Sequence, residues 1–405
     1  GLSARGAQAT KPPFSYLHAF FKAMADPWEQ GTSEDGYINL AVAQNMLTVD
    51  VVQKRLRTAM ASEQPQSTAA YDNMRGSEKL RTAMAAHMQR VLAPSAAAGT
   101  VDPADLCIST GCGAILDNLF LSITAPGDGV LIPAPYYPAF DNDLRVRNGT
   151  KALPVSGDRA DVLPTPVQLT AAVDAAAAAG CAVKALLLTN PSNPLGVVYT
   201  PEELTAALQW ALDRDIHVVV DEVYASSVFA ASSEDALPFV SALAMEAHLG
   251  PAAKTRLHVV YGLSKDFCAS GWRVGVLRSR NTGVIRAMDN VAYFCTVPGP
   301  MQYAVAEMLE DTAWVDSFLA QNSKNLGESH AVLSTALAEA GIPVVAATAG
   351  MFVWIDLSGW LREKTWKEEE RLWSACFENP QCKLVMTPGR DCRHDQAGCF
   401  RMCFA

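Results

Sequence analysis

The ten cysteines include no C-x-x-C pair, no apolar run is long enough to cross a membrane, and basic residues are outnumbered by acidic ones, 32 to 42. Each lack removes a class of protein. Cysteines scattered through 405 residues make neither a disulfide framework nor a zinc site, and reduced thiols in a cytoplasmic protein are the simpler reading. Five of them (Cys376, Cys382, Cys392, Cys399 and Cys403) crowd the last thirty residues beside His394 and read as core and loop thiols. A bilayer span needs roughly 18 or more apolar residues. The best stretch, 175–188, is interrupted by Gly180 and Lys184, so no membrane is expected. Because the chain begins at Gly1 rather than Met, a leader could precede it, and the cytoplasmic reading rests on the thiols alone. A net charge of −10 disfavours nucleic acid and anionic membranes as partners, since both attract basic faces. Any phosphate site must then be built locally. What is present, 50% apolar and 18% charged residues over this length, suffices for one large core and a smaller one, hence two lobes.

Between Asp105 and Leu277, short β-rich runs (DLCIST, GVLIP, KALLLTN, HVVVDEV, LHVVYGL, WRVGVL) alternate with helical stretches or polar loops. That alternation predicts an α/β domain around a mostly parallel sheet. Pro201-Glu202-Glu203 opens a helix reaching Arg214, and the Ala-rich stretch 165–179 predicts another. Residues 1–50, with a helical stretch from Leu17 to Ala25, and residues 298–405, with long helices and then short strands, are expected to join as a smaller α+β domain. Residues 51–297 form the large one. In such sheets ligands bind beyond the carboxyl ends of the strands, so the chemistry should lie just after the runs.

Three run ends bear this out. VVYGLSKDFCASGWRVG puts Lys265 in a Ser/Gly-rich turn, eight residues before Arg273; DEVY closes a run with Asp221 and Tyr224; NPSNPLG closes another with Asn193 inside it. A lone lysine there is usually a solvated loop residue, and Asp221-Glu222 alone is usually a surface turn. The set changes the reading. Pyridoxal phosphate requires an amine for its aldehyde, an anion beside the pyridine nitrogen, hydrogen bonds to the phenolate oxygen, and cations with backbone N–H groups for the phosphate. Lys265 supplies the amine, joined to the cofactor as a Schiff base, and Asp221 the anion that keeps the ring nitrogen protonated. Once substrate displaces it, Lys265 becomes the base that moves the α-proton, which requires a pKa lowered by burial and nearby cations. ISTGCGAILD leads through a glycine turn into a helix whose N-terminal N–H groups, around Cys112 and Gly113, suit phosphate, and Ser264 and Arg273 complete a cup. Tyr137, in PAPYYP, suits either stacking on a flat ring or capping the core. In GCFRMCFA, Arg401 interrupts an apolar strand and needs an anion: a structural carboxylate, or a substrate α-carboxylate held in a bidentate clamp.

Six ordered segments, INLAVAQNML, GDGVLIPAPYYPAFDNDLR, LTNPSNPLGVVYTPEEL, VVVDEVYASSVF, GLSKDFCASGWRVG and PGRDCRHDQAGCFRMCFA, give the chain from about Tyr16 to Ala405 a family likeness. It resembles the fold-type-I pyridoxal-phosphate enzymes of the aspartate aminotransferase superfamily, and within them the 1-aminocyclopropane-1-carboxylate (ACC) synthase and synthase-like branch. The resemblance implies Lys265 bonded to the cofactor, Asp221 at the ring nitrogen, Tyr224 and Asn193 at the phenolate oxygen, Tyr137 on the ring, Ser264 and Arg273 at the phosphate, and Arg401 at the substrate carboxylate. It further implies a homodimer with shared active sites, in which Tyr16 matches an N-terminal tyrosine that reaches the substrate from the neighbouring subunit. Three departures stand out. Gln44 takes the place of a catalytic glutamate, Met74 that of a tyrosine touching the phosphate across the dimer (Tyr71 lies three positions earlier), and Gly262 that of a phosphate-binding serine.

The expectation is therefore a lyase acting on S-adenosylmethionine with release of methylthioadenosine, by cyclisation to ACC or by γ-elimination or γ-replacement. The alternatives are an aminotransferase or lyase on another amino acid and, with the intact cofactor residues against it, a non-catalytic synthase-like protein.

Overall fold

The computed structural model describes residues 1–229 and 237–405. Its principal sheet contains β1 (Leu106–Ser109), β2 (Gly129–Ala134), β3 (Lys151–Ser156), β4 (Val183–Thr189), β5 (His217–Asp221), β6 (Leu257–Gly262) and β7 (Gly275–Ser279). The spatial order is β1-β7-β6-β5-β4-β2-β3. Only β7 runs against its neighbours, β1 and β6, so the sheet is mixed and mostly parallel.

Alternate residues of the central strands feed two cores. Leu186, Leu188, Val218 and Val220 pack with Leu169, Leu204 and Leu208 on one face, whereas Ala185, Leu187 and Val219 pack with Ile115, Leu119 and Phe140 on the other. Burial on both faces is why these strands read as continuous apolar runs. The covering helices include α1 (Cys112–Ile123), α2 (Pro166–Ala178) and α3 (Pro201–Leu212). The last two start where the sequence dictates, each with proline in the first turn and a capping box, Thr165 with Gln168 and Thr200 with Glu203. One turn of helix, α4 (Leu263–Asp266), follows β6 and carries Lys265.

Both chain ends enter a third core. Tyr16, Ala19, Ala23 and Tyr37 pack there with Leu337, Ile355, Trp373, Phe377 and Phe400. Its three-stranded antiparallel sheet is formed by β8 (Phe352–Asp356), β9 (Thr387–Pro388) and β10 (Cys399–Cys403), in the order β9-β10-β8, and Ile38–Asn39 pairs with Leu384–Val385. Two helices connect the regions, α5 (Gly299–Glu310) and the long α6 (Thr312–Glu339). Val305 and Met308 of α5, with Val315 and Phe318 of α6, still belong to the large core, while Leu337 belongs to the small one. The seam expected at residue 297 thus precedes elements that remain packed on the large sheet. Among the described residues all ten cysteines are free thiols, no group of side chains suits a metal, and no helix is long and apolar enough to cross a membrane.

Candidate active site

Strands β4, β5 and β6 point their carboxyl ends at a cavity of about 380 Å³, closed on its other side by residues from both chain ends. Tyr16, Cys112, Gly113, Tyr137, Asn193, Asp221, Tyr224, Ser264, Lys265, Arg273 and Arg401 all line it. Residues nearly four hundred positions apart meet because β4, β5 and β6 end side by side and β10 faces them from the small lobe.

Asp221 closes β5, and its carboxyl is buried with a single hydrogen bond, from the backbone N–H of Val223 at 3.3 Å. Burial pushes its pKa up to about 7, against the lowering influence of that N–H and of Lys265. The next residue faces away, as strand alternation requires: Glu222 accepts hydrogen bonds from Ser241 Oγ (2.6 Å) and the Ala242 N–H (2.7 Å), a structural role. Burial lowers the Lys265 amine to about 8, with Arg401 lowering it further, and the amine donates to the backbone carbonyl of Ala43. Asn193 couples two candidates. Its Nδ2 donates to Tyr224 Oη at 3.3 Å, and its Oδ1 accepts from Arg401 Nη1 at 2.9 Å. Arg401 also donates to the Ala41 carbonyl and Thr387 Oγ1, keeps an unpartnered buried Nε, and has no carboxylate within ion-pair distance among the described residues. Of the two readings of this arginine, the structural salt bridge is thereby removed.

At the other end of the cavity the N-terminus of α1 follows Gly111, whose φ of +89° favours glycine. A Cβ there would collide with the guanidinium of Arg273, which lies across the helix start and donates only to the carbonyls of Ser270 and Thr110. Free first-turn N–H groups, an arginine without a carboxylate and the nearby Ser264 hydroxyl form an anion cup. Tyr137 lines the cavity wall, edge-on to Phe140 with ring centroids 5.4 Å apart.

Gln44 is the exception. A bend at residues 41–42 and a tight turn, closed by the Gln44 N–H on the Val42 carbonyl at 2.8 Å, leave Ala41, Ala43 and Asn45 buried and Gln44 exposed, lining a separate surface pocket with Met46 and Phe404. The side chain expected in place of a catalytic glutamate therefore does not reach the cavity of this chain. Tyr16 lines the cavity of its own chain. Its pKa is raised to about 12 by burial, its ring stacks on Phe14, and Ser15 is tied to Asp391 through Oγ at 2.7 Å. Met74 and the 92%-exposed Tyr71 line a different groove. Sequence reasoning missed the carbonyls of Ala41 and Ala43, which carry no side-chain signal, and the cavity residues Thr189 and Asp143. Thr189 has an unpartnered buried hydroxyl and ends a run already read as a strand, so its position was available. Asp143, one turn beyond the PAPYYP segment, has its pKa raised to about 7 by burial, with Asp117 and Asp221 adding to the rise.

These features fit pyridoxal phosphate on the protein's own terms. A buried acid without a cation matches the protonated ring nitrogen, a depressed amine matches the aldehyde, and the anion cup matches the phosphate. The family profile described as Aminotransferase class I and II matches residues 35–405. Similar proteins include 1-aminocyclopropane-1-carboxylate synthase 4 of Oryza sativa subsp. japonica, 35% identical and covering 94% of this chain and 81% of that protein. Another is 1-aminocyclopropane-1-carboxylate synthase 2 of Cucurbita pepo, 33% identical over 94% of this chain and 77% of that protein. In fold, the aspartate aminotransferase from Thermus thermophilus with maleate superposes with a TM-score of 0.78 at 24% identity, covering 100% of this chain and 95% of that one. The chain belongs to the class I and II aminotransferase family, in its ACC synthase branch, and pyridoxal phosphate is its cofactor.

Proposed function

We propose that the protein acts on S-adenosylmethionine and releases methylthioadenosine, either closing the remaining carbons to ACC or eliminating or replacing at the γ-carbon. The observation that carries this is one cavity holding a depressed amine, Lys265, and a buried arginine without a carboxylate, Arg401, in a chain whose relatives are named for ACC synthesis.

Bound pyridoxal phosphate supplies a sink for the electron pair left at the α-carbon. Asp221 would provide the negative charge that favours a protonated ring nitrogen, and Tyr224 with Asn193 would provide hydrogen bonds to the phenolate oxygen. Arg273, Ser264 and the N–H groups of Cys112 and Gly113 would hold the phosphate, and Tyr137 would stack on the ring. Arg401 orients the amino acid by its α-carboxylate, its own geometry fixed by Ala41, Thr387 and Asn193. With its pKa near 8, the Lys265 Nζ is sufficiently neutral at physiological pH to take the α-proton, and Ala43 aims it. Tyr16 closes the substrate side from the same chain. The second reading, amino transfer, is favoured by the exposed amide at Gln44, which leaves no carboxylate at that position. A homodimer is part of this proposal, supported by the exposed Tyr71, Tyr293 and Phe294 beside the groove that contains Met74.

The test is to mix cofactor-loaded protein with S-adenosylmethionine and identify products by mass spectrometry. Methylthioadenosine with ACC is the cyclisation outcome, and methylthioadenosine with another amino acid is γ-elimination or replacement. Formation of no methylthioadenosine would overturn the proposal, and a panel of amino acids with 2-oxo acids would then test amino transfer.

A further inference from the structure

Gly262 ends β6 three residues before Lys265, and its backbone gives no reason for glycine. Its φ is −174°, an extended conformation open to any residue. The reason is spatial. A Cβ at this position would lie 2.7 Å from the Sγ of Cys112 and 3.0 Å from the carbonyl oxygen of Val274. The second obstacle is backbone just before β7 and need give only a few tenths of an ångström, whereas the closer contact lies below any distance a real Cβ tolerates, so a side chain at 262 must displace the thiol. Cys112 is itself held in that place, its Sγ 3.4 Å from the carbonyl oxygen of Tyr261 and its ring of neighbours completed by the N-terminal turn of α1.

We propose that Cys112 and Gly262 are a matched pair, the thiol occupying the space of a side chain at 262, so that the two positions can change only together. This deepens the cofactor reading and rests on it. The two residues sit on either side of the anion cup: Cys112 opens α1, whose free N–H groups face the cup, and Gly262 leads directly into Ser264 and Lys265. A serine at 262 with Cys112 in place leaves two outcomes. Either the thiol swings into the cavity, or the start of α1 moves away from Arg273. Both take space or donors from the phosphate. A smaller residue at 112 removes the closer of the two contacts, leaves a 3.0 Å approach to the Val274 carbonyl oxygen that a shift of a few tenths of an ångström relieves, and lets a hydroxyl stand where the thiol was. Cys112 is thus a positioning residue for the cup, and its thiol, pushed well above its ordinary pKa by burial, acts through its volume and not as a nucleophile.

The experiment is a double-mutant cycle on the full chain, C112A, G262S and C112A/G262S against wild type. It is read by spectroscopic titration with pyridoxal phosphate and by the melting temperature of cofactor-free protein. G262S is expected to weaken cofactor affinity by about 10-fold or more, the scale of overpacking a closed site, and the double variant to recover to within about 3-fold of wild type. G262S binding as tightly as wild type, or a double variant no better than G262S, overturns the pairing. If wild type itself takes up no pyridoxal phosphate, the cofactor reading fails instead. The pairing then stands or falls on the melting temperatures, where G262S must lie below wild type and C112A/G262S must recover.

Discussion

The two ends of the large sheet bury charge in opposite ways. At the amino ends of β5 and β6, where β7 finishes, Arg278 is fully buried and meets Glu246 through two contacts of 2.9 and 2.7 Å, with a third bond to the Thr100 carbonyl. Beside it His258 bridges His217 and Ser279, 2.9 Å from each. At the carboxyl ends, the buried Asp221 and Arg401 and the largely buried Lys265 share one cavity with the exposed Arg273, and none of them forms an ion pair among the described residues. A paired buried charge is finished within the fold. A buried charge without a counter-ion is destabilising unless a ligand supplies one, so the contrast separates scaffold from site on physical grounds.

Substitutions at the two ends should therefore behave differently. The largest effect is expected for Lys265→Ala, which should lower kcat for methylthioadenosine release by at least about 10³-fold, because amine and base are lost together. Near-normal turnover would make the lysine scaffold. Next, Glu246→Ala at the closed end should destabilise the chain by about 3–5 kcal/mol in urea, leaving Arg278 buried and alone, without weakening cofactor binding by the folded fraction. Equal losses of stability and cofactor affinity would dissolve the distinction between the ends.

At the open end, Arg401→Ala should raise KM by about 10- to 150-fold with a smaller change in kcat, the scale of a charge-assisted bond lost in ground and transition state alike. Unchanged kinetics would remove Arg401 from the substrate. A subtler signature concerns pH. The folded value of Asp221, about 7, lies above the unfolded value of about 3.9. Its contribution to stability is therefore present below the unfolded value and lost as pH rises through about 7. Cofactor-free wild type should lose melting temperature over that interval, Asp221→Asn should lose less, and saturating pyridoxal phosphate should flatten the wild-type curve. Identical pH curves for the two proteins would mean that Asp221 is not the buried acid responsible. The smallest effect is expected from Gln44→Glu. The side chain is exposed and outside the cavity, so kcat/KM should stay within about 2-fold of wild type. A large gain in ACC formation would bring this position back into the site.

What could be read from the sequence follows the same division. Lys265, Asp221, Asn193 and Tyr224 were legible because each closes or follows an apolar run, and strand ends of a parallel sheet converge by topology. Arg401 was legible because arginine inside CFRMC is costly without an anion. Gln44 was not, because the bend at residues 41–42 and the turn closed by its N–H on the Val42 carbonyl decide which way its side chain faces, and no local pattern records them. The Ala43 carbonyl beside Lys265 and the fit of Cys112 against Gly262 depend on backbone position and on contact across 150 residues, which no local pattern records.

Reduction of the cofactor-loaded protein with borohydride, followed by peptide mapping, addresses the open end of the sheet itself. A pyridoxyl group fixed on Lys265, absent from Lys265→Ala and displaced when amino-acid substrate is added first, is the predicted result. Labelling at another lysine, or none, would contradict the assignment of this cavity.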